Sequence, residues 1–154
     1  LAVLEPVMAT AEEAYLGLLR ERWSDDALGE RCLTFVLAYH NFWARHSRLL
    51  HLRNNLADRG DPKMMRQRVE STQPIIALMV RQMDGSPRLA GTEEGSLATM
   101  TMIAIERSIT IATDSGLPTL MGWDFSGQEE RFIAPGSRLM ELAIRDSRQR
   151  PACG

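Results

Sequence analysis

The 154-residue chain is 44% hydrophobic and 25% charged, with a formal net charge of −2, the make-up of a soluble globular domain with enough interior for one core. The acidic balance gives no overall electrostatic case for binding nucleic acid, and no apolar run approaches the ~18–20 residues that span a bilayer. Two cysteines, Cys32 and Cys153, make no disulfide framework, and the opening LAVLEPVMATAEEAYLGLL lacks the basic start of a signal peptide; a reducing cytoplasm is the expected setting.

Apolar residues recur at intervals of three and four, so the chain reads as all-α, a bundle of about six helices of unequal length. The first helix is expected over about 1–22, interrupted at most at Pro6, with Leu4, Met8, Ala11, Tyr15 and Leu18/Leu19 on one face. It starts with the pattern already running and no N-cap. Ser24, Asp25 and Asp26 suit the start of a second helix, an oxygen cap followed by acids at the positive dipole end, which runs to about His46. A short third helix starts at Ser47 and is closed by Gly60 as a left-handed cap. Asp61-Pro62 supplies an N-cap and a first-turn proline for a fourth helix, which reaches about Met83 with Pro74 inside it. A fifth helix over about 94–114 is closed by Ser115, Gly116 and Pro118, and a loop holding Trp123 follows. Ser126-x-x-Glu129 reads as a capping box, and the last helix bends near Pro135-Gly136 and ends around Arg148. One domain, 1–148, with a flexible tail at 149–154 is the implied organisation.

The stretch YHNFWARHSRLLHLR, residues 39–53, concentrates aromatics, histidines and arginines. His40 and His46 point roughly 240° apart on a helix, and His51 lies ~16 Å along the axis from His40. No H-E-x-x-H or E-x-x-H pair occurs, so no metal site is expected. No nucleophile elbow, P-loop or dinucleotide fingerprint is present, and Cys32 lies mid-helix beside Leu33, Val36 and Ala27 as a buried, inert thiol. The chain therefore reads as no enzyme, with no catalytic residue and no cofactor. Arg45, Arg48, Arg53 and Arg59 near Trp43 are expected to form a solvated face, offset by Asp58 and Asp61.

The aromatics themselves form a pattern. Phe35, Tyr39, Phe42 and His46 step by four, three and four along one helix face, with Val36, His40 and Trp43 on the adjacent one, an apolar arc wide enough for core packing or for one wall of a cavity. Met65, Val69, Thr72, Ile76, Met79 and Met83 form a stripe on the fourth helix, and Met100, Met102 and Ile103 add the fifth. Methionines facing aromatics suit an adaptable apolar pocket. Pro74 leaves the carbonyl near Glu70 without its helical partner, and a kinked helix opens space beside itself.

The order of these features, YHNFWARHSRLL, then LHLRNNLADRGD, then PKMMRQRVESTQPIIALMVRQMDG, resembles the regulatory domain of TetR-family transcriptional repressors over residues 1 to about 115 and more loosely beyond. The resemblance implies a C-terminal ligand-binding and dimerisation domain of a bacterial regulator. The family's helix-turn-helix, which would contact operator DNA, has no counterpart in this sequence and is expected N-terminal to it. An apolar or amphipathic effector is implied between the first, second, fourth and fifth helices. The candidate lining is Phe35, Tyr39, Phe42 and Trp43, then Ile76, Met79 and Met83, then Met100 and Ile103, with Thr72, Gln73 and Arg107 as further polar contacts. A homodimer is implied through the last two long helices, by Thr101, Ala104, Ser108 and Ala112 on one and Leu139, Met140, Leu142 and Ala143 on the other. The competing reading is a helical dimerisation or protein-interaction module with no small ligand.

Overall fold

The computed structural model describes residues 3–86, 91–114, 116–122 and 130–150, and every regular element among them is helical. These are α1 (Leu4–Ala9), α2 (Ala11–Ala14), a 3-10 turn (Leu16–Leu19), α3 (Leu28–Arg45), α4 (Ser47–Asp58), α5 (Pro62–Gln82), α6 (Glu93–Ala112), α7 (Gly116–Met121) and α8 (Ile133–Gln149). Five main helices, α3, α4, α5, α6 and α8, pack together. α3 lies along α8, α4 along α5, and α6 packs against both α5 and α8. Phe35, Cys32, Met79, Ala98, Met140 and Ile144 are fully enclosed where these helices meet. No helix among the described residues is long and apolar enough to cross a membrane. Trp123, the Ser126–Glu129 capping box, Ser115 and Cys153 lie outside the described residues.

The expected long first helix is instead broken into three short pieces. Leu4, Ala11, Tyr15 and Leu19 are all buried, as their spacing requires. The backbone nevertheless leaves the helical region at Tyr15, at φ −153° and ψ −33°. Gly17 permits the sharp return: a Cβ there would stand 3.0 Å from the Glu12 carbonyl oxygen. Beyond the turn, the Trp23 indole N–H donates to the Leu18 carbonyl at 2.9 Å, and Gln82 at the end of α5 holds the backbone of residues 19–23. The segment's polar backbone groups are thus satisfied by turns and by α5, and not by a continuing helix.

α3 begins at Leu28, later than expected, and Ser24 reaches only the Ala27 N–H at 3.4 Å. Asp25 serves α8 instead, pairing with Arg148 at 2.6 Å. The junction between α4 and α5 is as the sequence predicts. Gly60 takes φ +86°, and Asp61 Oδ1 accepts from the Lys63 and Met64 N–H groups at 2.9 and 3.0 Å.

Two prolines expected to close or bend helices do neither. Pro118 is the third residue of α7, in a stretch expected to be loop, and Pro135 is the third residue of an unbroken α8. In a first turn the proline's missing N–H has no intrahelical acceptor to lose.

A candidate ligand cavity between α4, α5 and α6

The aromatic arc of α3 is closed by a ring from the N-terminal segment. Tyr15 meets Phe35, Tyr39 and Phe42 edge-on, at centroid distances of 6.4, 4.9 and 5.1 Å. Phe35 and Tyr39 stack at 6.0 Å. What remains there is a void of about 10 Å³, bounded by Met8, Tyr15, Tyr39, Phe42, Trp43, Arg53, Thr72 and Glu106 among others, roughly the volume of one water probe. Burial pushes both the Tyr15 and Tyr39 hydroxyls upward, so both stay neutral. The space that the resemblance implies between the first, second, fourth and fifth helices is filled in this conformation.

The larger opening lies on the other side of Thr72 and Glu106. A cavity of about 670 Å³ runs between α4, α5 and α6, with Leu117 of α7 at one edge. Its apolar walls are Met65, Val69 and Ile76 of α5 and Ile103 and Ile111 of α6; Ser47, His51 and Asn54 of α4, Thr72 of α5, and Glu106 and Thr110 of α6 are polar; Arg48, Asp58, Arg68, Arg107 and Asp114 add charge. This size and mixed lining are those of small-molecule sites. Three of the wall residues are exposed, Met65 at 42%, Val69 at 46% and Ile103 at 56%, and Ile76 and Ile111 are partly buried. A second groove of about 600 Å³ continues along α5 and α6 past the shared residues Gln73, Ile76 and Thr99 towards Val80 and Met100.

Between void and cavity sits a buried polar centre. Arg53, expected on a solvated face, is only 3% exposed. It sits there because α4 turns this side chain inward against α5 and α6. Its guanidinium donates to Asn54 Oδ1 at 3.0 and 3.1 Å and to Ser71 Oγ at 2.9 Å, and it lies 5.8 Å from the Trp43 ring centroid, within cation–π range. Burial lowers its pKa, opposed by the charge of Glu106. Glu106 Oε1 is 3.9 Å from Arg53 Nη2, and the Tyr39 hydroxyl donates to Glu106 Oε2 at 3.4 Å. Arg53 supplies charge compensation to Glu106, yet spends its short hydrogen bonds elsewhere.

The sequence-predicted pocket residues thus divide among four places. Thr72, Gln73, Ile76, Ile103 and Arg107 line the 670 Å³ cavity, and Met100 lines the adjoining groove. Tyr39, Phe42, Trp43 and Thr72 bound the small void. Phe35, Met79 and Met83 are buried at 2% exposure or less. Of the residues expected to pair two copies, Thr101, Met140 and Ala143 are buried within this chain; Ser108 and Ala112 are partly buried; Ala104, Leu139 and Leu142 face outward. The sequence reading missed Arg53 and Glu106, because a charged pair brought together from α4 and α6 leaves no local signal. His51 Nε2 lies 3.1 Å from Thr113 Oγ1 at the cavity edge. No group of three or more His, Cys, Asp or Glu among the described residues is placed to hold a metal ion.

No protein-family profile matches the chain, and comparison with curated proteins and with solved structures gives no significant match.

Proposed function

We propose that this chain is the effector-binding and dimerising part of a TetR-like bacterial transcriptional regulator, most simply a repressor, acting in the cytoplasm and catalysing no reaction. The observation that carries the reading is the 670 Å³ cavity, which shares Thr72 and Glu106 with the void beneath Tyr15. An apolar or amphipathic effector entering this cavity presses on the same polar partition that supports the Tyr15 ring. Tyr15 stands at the break between α2 and the 3-10 turn, so the shift reaches the N-terminal segment, which in this reading leads to a helix-turn-helix on operator DNA. The effector acts only by its differential affinity for the two arrangements. Two copies would pair through the outer faces of α6 and α8, where Ala104, Leu139 and Leu142 are exposed.

Thermal melting against a panel of apolar and amphipathic compounds tests this, comparing the natural chain with Ile103→Trp, whose larger ring narrows the cavity. At least one compound should raise the melting temperature of the natural chain by mass action and raise the variant's by less. A flat response of the natural chain across the panel removes the ligand reading. It would leave a helical dimerisation or interaction module, which the outward Leu33, Leu37, Leu139 and Leu142 favour.

A further inference from the structure

The side chain of Glu106 is 13% exposed and borders the 670 Å³ cavity. A carboxylate has two oxygens and about four lone-pair sites, and its charge-assisted bonds normally form at about 2.7–2.9 Å. The protein gives Glu106 contacts at 3.4 Å to Tyr39 and 3.9 Å to Arg53. Arg53 is committed to Asn54 and Ser71 at ordinary distances. Glu106 therefore has acceptor capacity left over, on the border that it and Thr72 form between the cavity and the buried polar centre. The two nearby threonine hydroxyls are already engaged: that of Thr72 donates to the Arg68 carbonyl and that of Thr110 to the Arg107 carbonyl.

We propose that the cavity takes an amphipathic molecule with an apolar or aromatic body and an N–H donor head, a protonated amine in its charged form, and that the head binds Glu106. The inference rests on the ligand-binding reading above and names the class of that ligand. The body lies against Val69 and Ile76 of α5 and Ile103 of α6. A buried acceptor discriminates strongly, because a ligand without the matching donor leaves it unpaired after water has been expelled. The opposite polarity, a carboxylate ligand, would have to use Arg48, Arg68 or Arg107. Arg68 is already paired with Asp58 at 2.8 Å. Arg48 and Arg107 are exposed, where solvent screens a charge contact, and the ligand's head could not descend without meeting Glu106.

The test is isothermal titration of the natural chain with two probes of one shape, 4-phenylbutylamine and 4-phenylbutyrate, repeated on Glu106→Gln and Ile103→Trp. The amine should bind at least tenfold tighter than the carboxylate. Glu106→Gln should erase most of that preference, and Ile103→Trp should weaken binding of both probes. Equal or tighter binding of the carboxylate to the natural chain overturns the donor-head inference and leaves the ligand reading standing. Binding of neither probe also overturns the donor-head inference, and the melting panel above then decides the ligand reading. The probe ratio on the natural chain decides the matter by itself if Glu106→Gln proves unable to fold.

Discussion

Gln82 and Trp23 are joined side chain to backbone across the molecule: the Trp23 N–H donates to Gln82 Oε1 at 3.0 Å. The other end of the same amide donates to the Leu19 and Glu21 carbonyls at 3.0 and 2.6 Å. Gln82 is 1% exposed, so one side chain replaces the helical bonds that the N-terminal segment gives up after Tyr15. Gln82→Leu keeps the volume and strands these groups. It should cost about 2–3 kcal/mol, in the range for an unmade buried hydrogen bond, with faster proteolysis within residues 15–23. Urea denaturation measures the first; a loss below ~0.5 kcal/mol would mean that water reaches these groups and that the amide is not the anchor.

Met79 and Met100 were both expected to line one pocket, and the structure separates them. Met79 is fully buried and Met100 is 65% exposed. Met79→Ala should destabilise by about 2–5 kcal/mol through lost burial and a residual cavity. Met100→Ala should stay within about 0.5 kcal/mol. Chemical denaturation of the two variants side by side gives the contrast, and equal costs would show that the groove at Met100 is occupied in solution.

That separation shows what was legible in the sequence. The stripe from Met65 to Met83 keeps to one helix face at the 3.6-residue period, and its amphipathic pattern was readable. Its neighbours were not. The first half of the stripe, Met65, Val69, Thr72 and Ile76, looks into the cavity, whereas Met79 and Met83 near the helix end are enclosed in the core, where the 3-10 turn packs on α5. Local signals fared well where the chemistry is local: Gly60, Asp61 and Pro62 set the α4–α5 junction by their own backbone preferences. The break at Tyr15 depends on Gln82, 67 residues later by position, and the burial of Arg53 depends on Ser71 and Glu106. Neither dependence appears in any short window. Pro118 and Pro135 misled because a proline signals a helix start as readily as an end, and only flanking structure decides.

Gly60 stands at φ +86° with nothing within 4 Å of where a Cβ would be. Any cost of substitution there is therefore a backbone cost. Gly60→Ala should destabilise by about 1 kcal/mol, and Gly60→Asn by less, since Asn tolerates the left-handed region. Thermal or urea unfolding of both variants checks the order. Equal stability of all three proteins would mean that the chain escapes the left-handed turn at no cost.

Cys32 is fully buried on α3, and burial, with Glu141 adding to it, pushes its thiol up to about 12. The thiolate is the reactive form. In a Cys153→Ser background, the remaining thiol should ignore a disulfide reagent such as DTNB at pH 8 until denaturant is added, then react fully. Its slow native-state rate should track global unfolding. Prompt reaction without denaturant would show that α3 and α8 part locally.

Arg22 and Asp84 form a two-point pair, with Nε to Oδ1 at 2.6 Å and Nη2 to Oδ2 at 2.8 Å, tying the N-terminal segment to the turn after α5. The hydrogen bond from Arg22 lowers the Asp84 carboxyl below its ordinary value. For a depressed acid the stabilisation is complete above the unfolded-state pKa and is lost as pH falls through the folded one. Both side chains are about half exposed, at 50% and 45%, so solvent screening holds the pair below about 1 kcal/mol. Asp84 also takes φ +60°, a conformation Asn shares with Asp, so Asp84→Asn removes the charge without adding backbone strain. The variant should unfold at slightly lower urea than the natural chain at pH 7. The gap should narrow below about pH 4, where the unfolded aspartate begins to bind its proton, and should also narrow in 1 M salt. A gap that keeps its size down to pH 2 would assign the effect to the turn's geometry and not to the ion pair.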